Sequence, residues 1–103
     1  MEVTGDELVK MLNALGNAQR IRIMAALAPG RNYVSQLARD LQMSRPLLHL
    51  HLQRLEAVGL VKGHLELSTD GKAMKFFEVV PFSVELTPAS IVEASTTLSD
   101  GTT

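Results

Sequence analysis

The chain has 103 residues, enough for one domain with a single modest core, and its 46% apolar content is too high for general disorder. It contains no cysteine, which removes disulfides, thiolate metal sites and cysteine nucleophiles together. The net charge of −1 is unevenly placed: residues 1–16 carry −2, residues 17–81 carry +4 and residues 82–103 carry −3, which permits nucleic-acid binding by the middle without requiring it.

No stretch approaches the roughly 18 consecutive apolar residues of a membrane helix. The opening MEVTGDELVK carries acids where a secretory signal carries bases, so a cytoplasmic protein is expected. In chain order, Leu8, Met11, Leu12 and Leu15 recur at helical spacing and predict a first helix over Asp6–Leu15, stopped by Gly16. Asn17 is a good cap for a second helix, Ala18–Ala28, with Ile21, Met24, Ala25 and Ala28 as its inward stripe. Pro29-Gly30 ends it. An extended piece around Tyr33 and Val34 follows, then a third helix capped by Ser35 and running to Leu41, buried by Leu37, Ala38 and Leu41. Gln42-Met43 is a tight connection to a fourth helix, Arg45–Val58, with Ser44 as cap, Pro46 in its first turn and Gly59 as its left-handed stop.

From Leu60 the period changes to that of strands. Val61–Leu67 and Ala73–Val80 are joined by Ser68-Thr69-Asp70-Gly71-Lys72, a hairpin signal. Phe82, Val84 and Leu86 alternate, so the strand or a strand-like extension is expected to continue past Pro81. Thr87-Pro88 resembles a helix start, with Ile91, Val92, Ala94 and Leu98 behind it, and the end SDGTT reads as frayed or linker-like.

Two short helices joined by a tight turn, the second followed by a hairpin, make a winged helix-turn-helix. The fold expected is mainly α with a small β-hairpin (α+β). Residues 1–81 would be the DNA-binding unit, with the recognition helix at about 45–58 and the wing at about 61–80. Residues 82–103 would be an extension for dimerisation. The arrangement has a steric logic, because one helix fits the major groove while the preceding helix braces it against the backbone.

The stretches LNALGNAQRIRIMAAL, VSQLARDLQMSRPLLHLHLQRLEAVGLV and GKAMKFFEV resemble the ArsR/SmtB-like winged-helix repressors over about two-thirds of the chain. The resemblance implies a homodimer built through the first and last helices, addressing a pseudo-palindromic operator in double-stranded DNA. Two features depart from the metal-sensing members. Tyr33 and Ser35 stand where those carry cysteines, and the last helix has no histidine. His49 and His51 fall on different helix faces, so no metal site, cofactor or metal-sensing role is expected, and His51 reads as a partly buried helix histidine.

On the fourth helix, at about 100° per residue, Leu48, Leu52 and Leu55 set the core direction. Pro46, Leu50, Gln53 and Ala57 then point away from it, with His49 and Arg54 on the flanks and Arg45 at the tip. Arginine suits guanine and glutamine suits adenine in bidentate contacts. The candidate DNA contacts are therefore Ser44, Arg45, Pro46, His49, Leu50, Gln53 and Arg54. Lys72 of the wing is a candidate for a phosphate or minor-groove contact, and Lys62, with Arg20 and Arg22 of the second helix, for backbone contacts. Leu47 is assigned to packing, and Tyr33, Phe76 and Phe77 to core or dimer contacts. Leu50 is anomalous on a polar face, and it fits a thymine methyl contact, a protein-docking surface or an error in helix register.

There is no phosphate-binding glycine loop and no nucleophile with a histidine and an acid, so an enzyme is not expected. Two alternatives to a dimeric DNA-binding regulator stay open. One is a winged-helix module for protein–protein interaction; the other is the N-terminal DNA-binding domain of a longer regulator.

Overall fold

The computed structural model describes residues 3–99. Local chemistry starts each helix. Thr4 opens α1 (Gly5–Leu15) with a reciprocal cap: its Oγ1 accepts from Glu7 N at 3.1 Å while Thr4 N donates to Glu7 Oε1 at 2.9 Å. Asn17 Oδ1 accepts from Gln19 N and Arg20 N at the start of α2 (Ala18–Leu27). Strand β1 (Asn32–Tyr33) leads directly into α3 (Val34–Leu41), and α4 (Arg45–Ala57) follows, with Ser44 Oγ accepting from Leu47 N at 3.3 Å. Gly59 takes φ +78°, where a side chain would be strained, and turns the chain into β2 (Val61–Leu67). Gly71, at φ +84°, closes the hairpin to β3 (Ala73–Val79). Thr87 and Ser90 then cap α5 (Pro88–Ser95) reciprocally.

The sheet is three-stranded and antiparallel in the order β1-β3-β2, so the expected hairpin gains a third strand. Asn32 pairs with Phe77 and Tyr33 with Phe76 on one edge of β3; Val61 to Leu67 pair with Val79 to Ala73 on the other. That pairing also explains why Ser35 is not the α3 cap. The ladder holds the chain extended through Tyr33, so the helix begins at Val34, one residue before the predicted cap, and no side chain caps it.

The core gathers Ile23, Leu27, Leu37, Leu48, Leu52, Leu55, Leu60 and Val61, with Phe77 pressed on it from the sheet. At roughly 25 cal/mol per Å² of apolar surface, each such side chain contributes about 1.5–3 kcal/mol. Gly63 makes room for this: a Cβ there would lie 2.7 Å from the Phe77 ring.

The stripe expected on α2 is corrected, and so is a regular strand beyond Pro81. The inward stripe of α2 is Ile23 and Leu27, supported by Met24 and Ala26, whereas Ile21 is half exposed and Ala25 and Ala28 face solvent. Apolar residues surround α2 on nearly every side, so its own periodicity does not select a face. Residues 81–86 are not a strand. β1 reaches only Phe77 and β2 begins only at Val61, so among the described residues no strand lies opposite the chain beyond Val80, whose N–H donates to Leu60 O. Of this segment, Val84 alone packs on the core.

Helix α5 has no buried residue and rests on α1 at a close crossing. A Cβ on Gly5 would stand 2.2 Å from the Ala94 carbonyl oxygen, and Gly5 N donates to Thr97 Oγ1 at 2.7 Å. Ser99 N donates to Asp6 Oδ1 at 3.0 Å. The rest of the SDGTT end lies outside the described residues.

Candidate nucleic-acid interface

The two helices α3 and α4 meet through Gln42, which adopts φ +52°, and Met43, which is buried beneath the turn. Gln42 N donates to Arg39 O and Met43 N to Ala38 O, so the turn is tied back to α3. This anchors the start of α4. Leu48, Leu52 and Leu55 are fully buried against α1, α2, α3 and β2, which fixes the rotation of α4 about its axis.

That rotation agrees with the sequence reading. Arg45, Pro46, His49, Leu50, Gln53 and Arg54 are all exposed, and the register alternative for Leu50 is removed. Ser44 is exposed too, but its hydroxyl serves as the helix cap. Leu47 differs from expectation, since it is 40% exposed beside Leu50 at 47%. The buried residues beside it in the chain are Leu48 and, one turn on, His51.

The charges sort themselves by partner. Among the described residues Arg45, Arg54, Lys72 and Lys75 have no carboxylate within salt-bridge distance. Lys62 is different: its Nζ lies 3.4 Å from Glu78 Oε1, on the sheet face opposite Phe77. The same outer face carries a closed cluster in which Arg31 pairs with Glu66 and stacks on Phe76, and His64 Nε2 lies 2.9 Å from Glu66 Oε2. The Arg31 and His64 bonds hold the Glu66 carboxyl below its ordinary range. These residues brace the wing against β1.

A small cleft of about 230 Å³ is lined by Arg45 and His49 of α4 and Ala73 to Lys75 of the wing, together with Tyr33 to Ser35. It brings the tip of α4 to the wing, and it includes Lys75, which the sequence reading omitted. Its alternation with Phe77 on β3 was the available signal, because residues two apart on a strand share a face. Lys72 stays at the hairpin tip, its N–H donating to Ser68 Oγ at 3.1 Å.

Arg20 is engaged within the fold. Its guanidinium donates to the Ala14 and Asn13 carbonyls at the end of α1 and meets His51 Nδ1 at 3.2 Å. His51 is buried, and burial first, then the Arg20 and Arg54 charges, push its pKa below the ordinary histidine value. Among the described residues no three His, Asp or Glu side chains converge as metal ligands, and no helix is long and apolar enough to cross a membrane.

Comparison with known proteins points the same way. Residues 17–62 match the family of bacterial regulatory proteins designated the arsR family. An uncharacterized HTH-type transcriptional regulator of Methanocaldococcus jannaschii is 33% identical over 76 residues, covering 74% of this chain and 79% of the relative. HlyU from Vibrio cholerae shares the fold at a TM-score of 0.65 and 23% identity, over 93% of this chain and 92% of its own. A homodimeric winged helix-turn-helix DNA-binding domain from Mycobacterium bovis is similar at a TM-score of 0.63 and 26% identity, over 72% of this chain and 64% of that one.

Proposed function

The chain belongs to the arsR family of winged helix-turn-helix transcriptional regulators, and from that premise we propose that it binds a pseudo-palindromic site in double-stranded DNA as a homodimer in the cytoplasm. The observation that carries the reading is the outward face of α4. Arg45, His49, Gln53 and Arg54 stand exposed there, neither arginine is paired with a carboxylate, and the buried Leu48, Leu52 and Leu55 behind them hold the helix rigid. Arg45 and Gln53 read base edges, and Lys72 and Lys75 of the wing take the backbone. Lys62 contributes less, because the Glu78 carboxylate 3.4 Å away offsets part of its charge.

Residues 1–81 form the DNA-reading unit and residues 82–103 the assembly extension. Val9 and Leu12 of α1 and Ile91 and Val92 of α5 are each 44% exposed or more, and an isologous pairing of α1 and α5 would cover them. The Mycobacterium bovis relative, described as homodimeric, supports the same assembly. The absence of cysteine from the chain and of histidine from α5 supports a member without specific transition-metal sensing.

Selection from a random-sequence duplex library, followed by anisotropy across salt concentrations, tests the reading. A recovered inverted repeat with a steep negative dependence of log affinity on log salt is expected. Failure to enrich any duplex, with association to a protein partner through the α4 face instead, would leave the interaction-module alternative.

A further inference from the structure

The outward face of α4 carries one feature that phosphate and hydrogen-bond chemistry leaves unexplained: two exposed leucines among its polar residues. Leu47 and Leu50 are three apart and Gln53 three further on, so the three side chains form one diagonal ridge across successive turns. Leu47 is 40% and Leu50 47% exposed, and neither belongs to the core or to the residues packed around it. The ridge is bracketed by the unpaired Arg45 and Arg54, and no acid occurs between Leu41 and Leu55. That charge favours a polyanion as the occupant.

We propose that Leu47 and Leu50 read thymine by its C5-methyl group, so that α4 selects A·T pairs where these two residues meet the major groove. This deepens the DNA-reading proposal above and rests on it. The chemistry is selective, because the thymine methyl is the one apolar group a base presents in the major groove. Against a G·C pair the same leucines would cover polar base edges without bonding them, at the cost of desolvation. Gln53, one turn beyond Leu50, carries the amide that pairs with adenine N6 and N7. Leucine on the methyl and glutamine on adenine are then two readings of neighbouring A·T pairs by one ridge.

The test uses the full chain and the tightest duplex recovered from the random-sequence library. Each thymine is replaced in turn by deoxyuridine, which removes the methyl and leaves every hydrogen-bonding group in place. In the wild type, two positions per half-site are expected to lose affinity about fourfold each, the worth of one buried methyl. One such penalty disappears in Leu50→Ala and the other in Leu47→Ala, which separates direct contact from a change in DNA shape. Both residues are exposed, so the variants fold, and the uridine series in the wild type needs no variant. Silent uridine substitution at every position, or penalties undiminished in both alanine variants, overturns the proposal. So does a Leu50→Glu protein that binds the duplex as the wild type does, since the strip would then lie off the DNA. Recovery of no duplex at all is a separate result, and it removes the DNA-reading proposal itself.

Discussion

Nη1 of Arg20 lies 3.2 Å from Nδ1 of His51, joining α2 to the buried side of α4. The same guanidinium also holds the Ala14 and Asn13 carbonyls, so α1, α2 and α4 meet at one side chain. Arginine only donates hydrogen bonds. His51 must therefore accept at Nδ1, which requires the neutral ring with its proton on Nε2.

A pH dependence follows. The folded pKa of His51 is lowered, so the unfolded chain binds the proton more readily than the folded one. The contribution is fully present above the ordinary histidine value of 6.5 and is lost as pH falls through the lower folded value. The melting temperature should therefore fall between pH 7.5 and pH 5.5, roughly, above the range where carboxylates titrate. His51→Gln, whose amide oxygen still accepts from Arg20, should flatten that decline. His51→Leu should flatten it as well, but at the cost of about 1 kcal/mol for the unmet guanidinium bond. Thermal unfolding of the three proteins across pH decides this, and an unchanged slope in His51→Gln would assign the decline to other groups.

Buried and exposed faces of α4 should respond oppositely to truncation. Leu52 is fully buried, so Leu52→Ala is expected to cost about 2–5 kcal/mol of stability through poorer packing and a residual cavity. Gln53, its exposed neighbour, should change stability by less than about 0.5 kcal/mol on conversion to alanine, while weakening duplex binding. Denaturant titration and anisotropy on both variants check the pair.

Base reading and phosphate binding should separate by salt. Arg45→Ala should cost about 1–3 kcal/mol on the selected site and relax preference at one base pair per half-site. Lys72→Ala should weaken selected and random duplexes alike and make the salt slope shallower by about one unit for each phosphate no longer neutralised. Lys62→Ala should do little in either measurement, because its ammonium is engaged with Glu78.

The crossing of α1 and α5 leaves no room at Gly5. Gly5→Ala forces a Cβ against the Ala94 carbonyl, and the expected outcome is displacement of α5 with a loss of about 1–3 kcal/mol. In sedimentation the wild type should run at about twice its 11.2 kDa chain mass, and the variant should shift toward the monomer. A wild-type monomer at micromolar concentration would remove the case for a symmetric site.

Zn(II) should leave the protein–DNA complex intact. Among the described residues no three possible ligands converge: His49 is exposed, His51 faces Arg20, and His64 has Glu66 as its carboxylate partner. Release at micromolar metal, abolished by His49→Ala or His64→Ala, is the contrary result.

What the sequence determined by itself are the elements whose ends and faces are encoded locally. Ser44 as cap, the stripe Leu48, Leu52 and Leu55, Gly59 as stop and Gly71 in the hairpin turn all lie where the sequence puts them, because each acts within a few residues along the chain. The exposed face of α4 followed from that stripe, and with it most of the candidate site. The rest depended on partners distant in sequence. Helix α2 is apolar nearly all round, so its inward face was chosen by the packing of Ile23 and Leu27 and by the reach of Arg20 to α1 and α4. Asn32 and Tyr33 became a strand only because an edge of β3 was open to them, and residues 81–86 stayed irregular because β2 begins only at Val61, opposite Val79. Lys75 joined Arg45 and His49 only once the sheet carried β3 beside the tip of α4. A periodic pattern specifies which side of an element is apolar; which neighbour that side meets, and which charges are brought together, is decided when the elements pack.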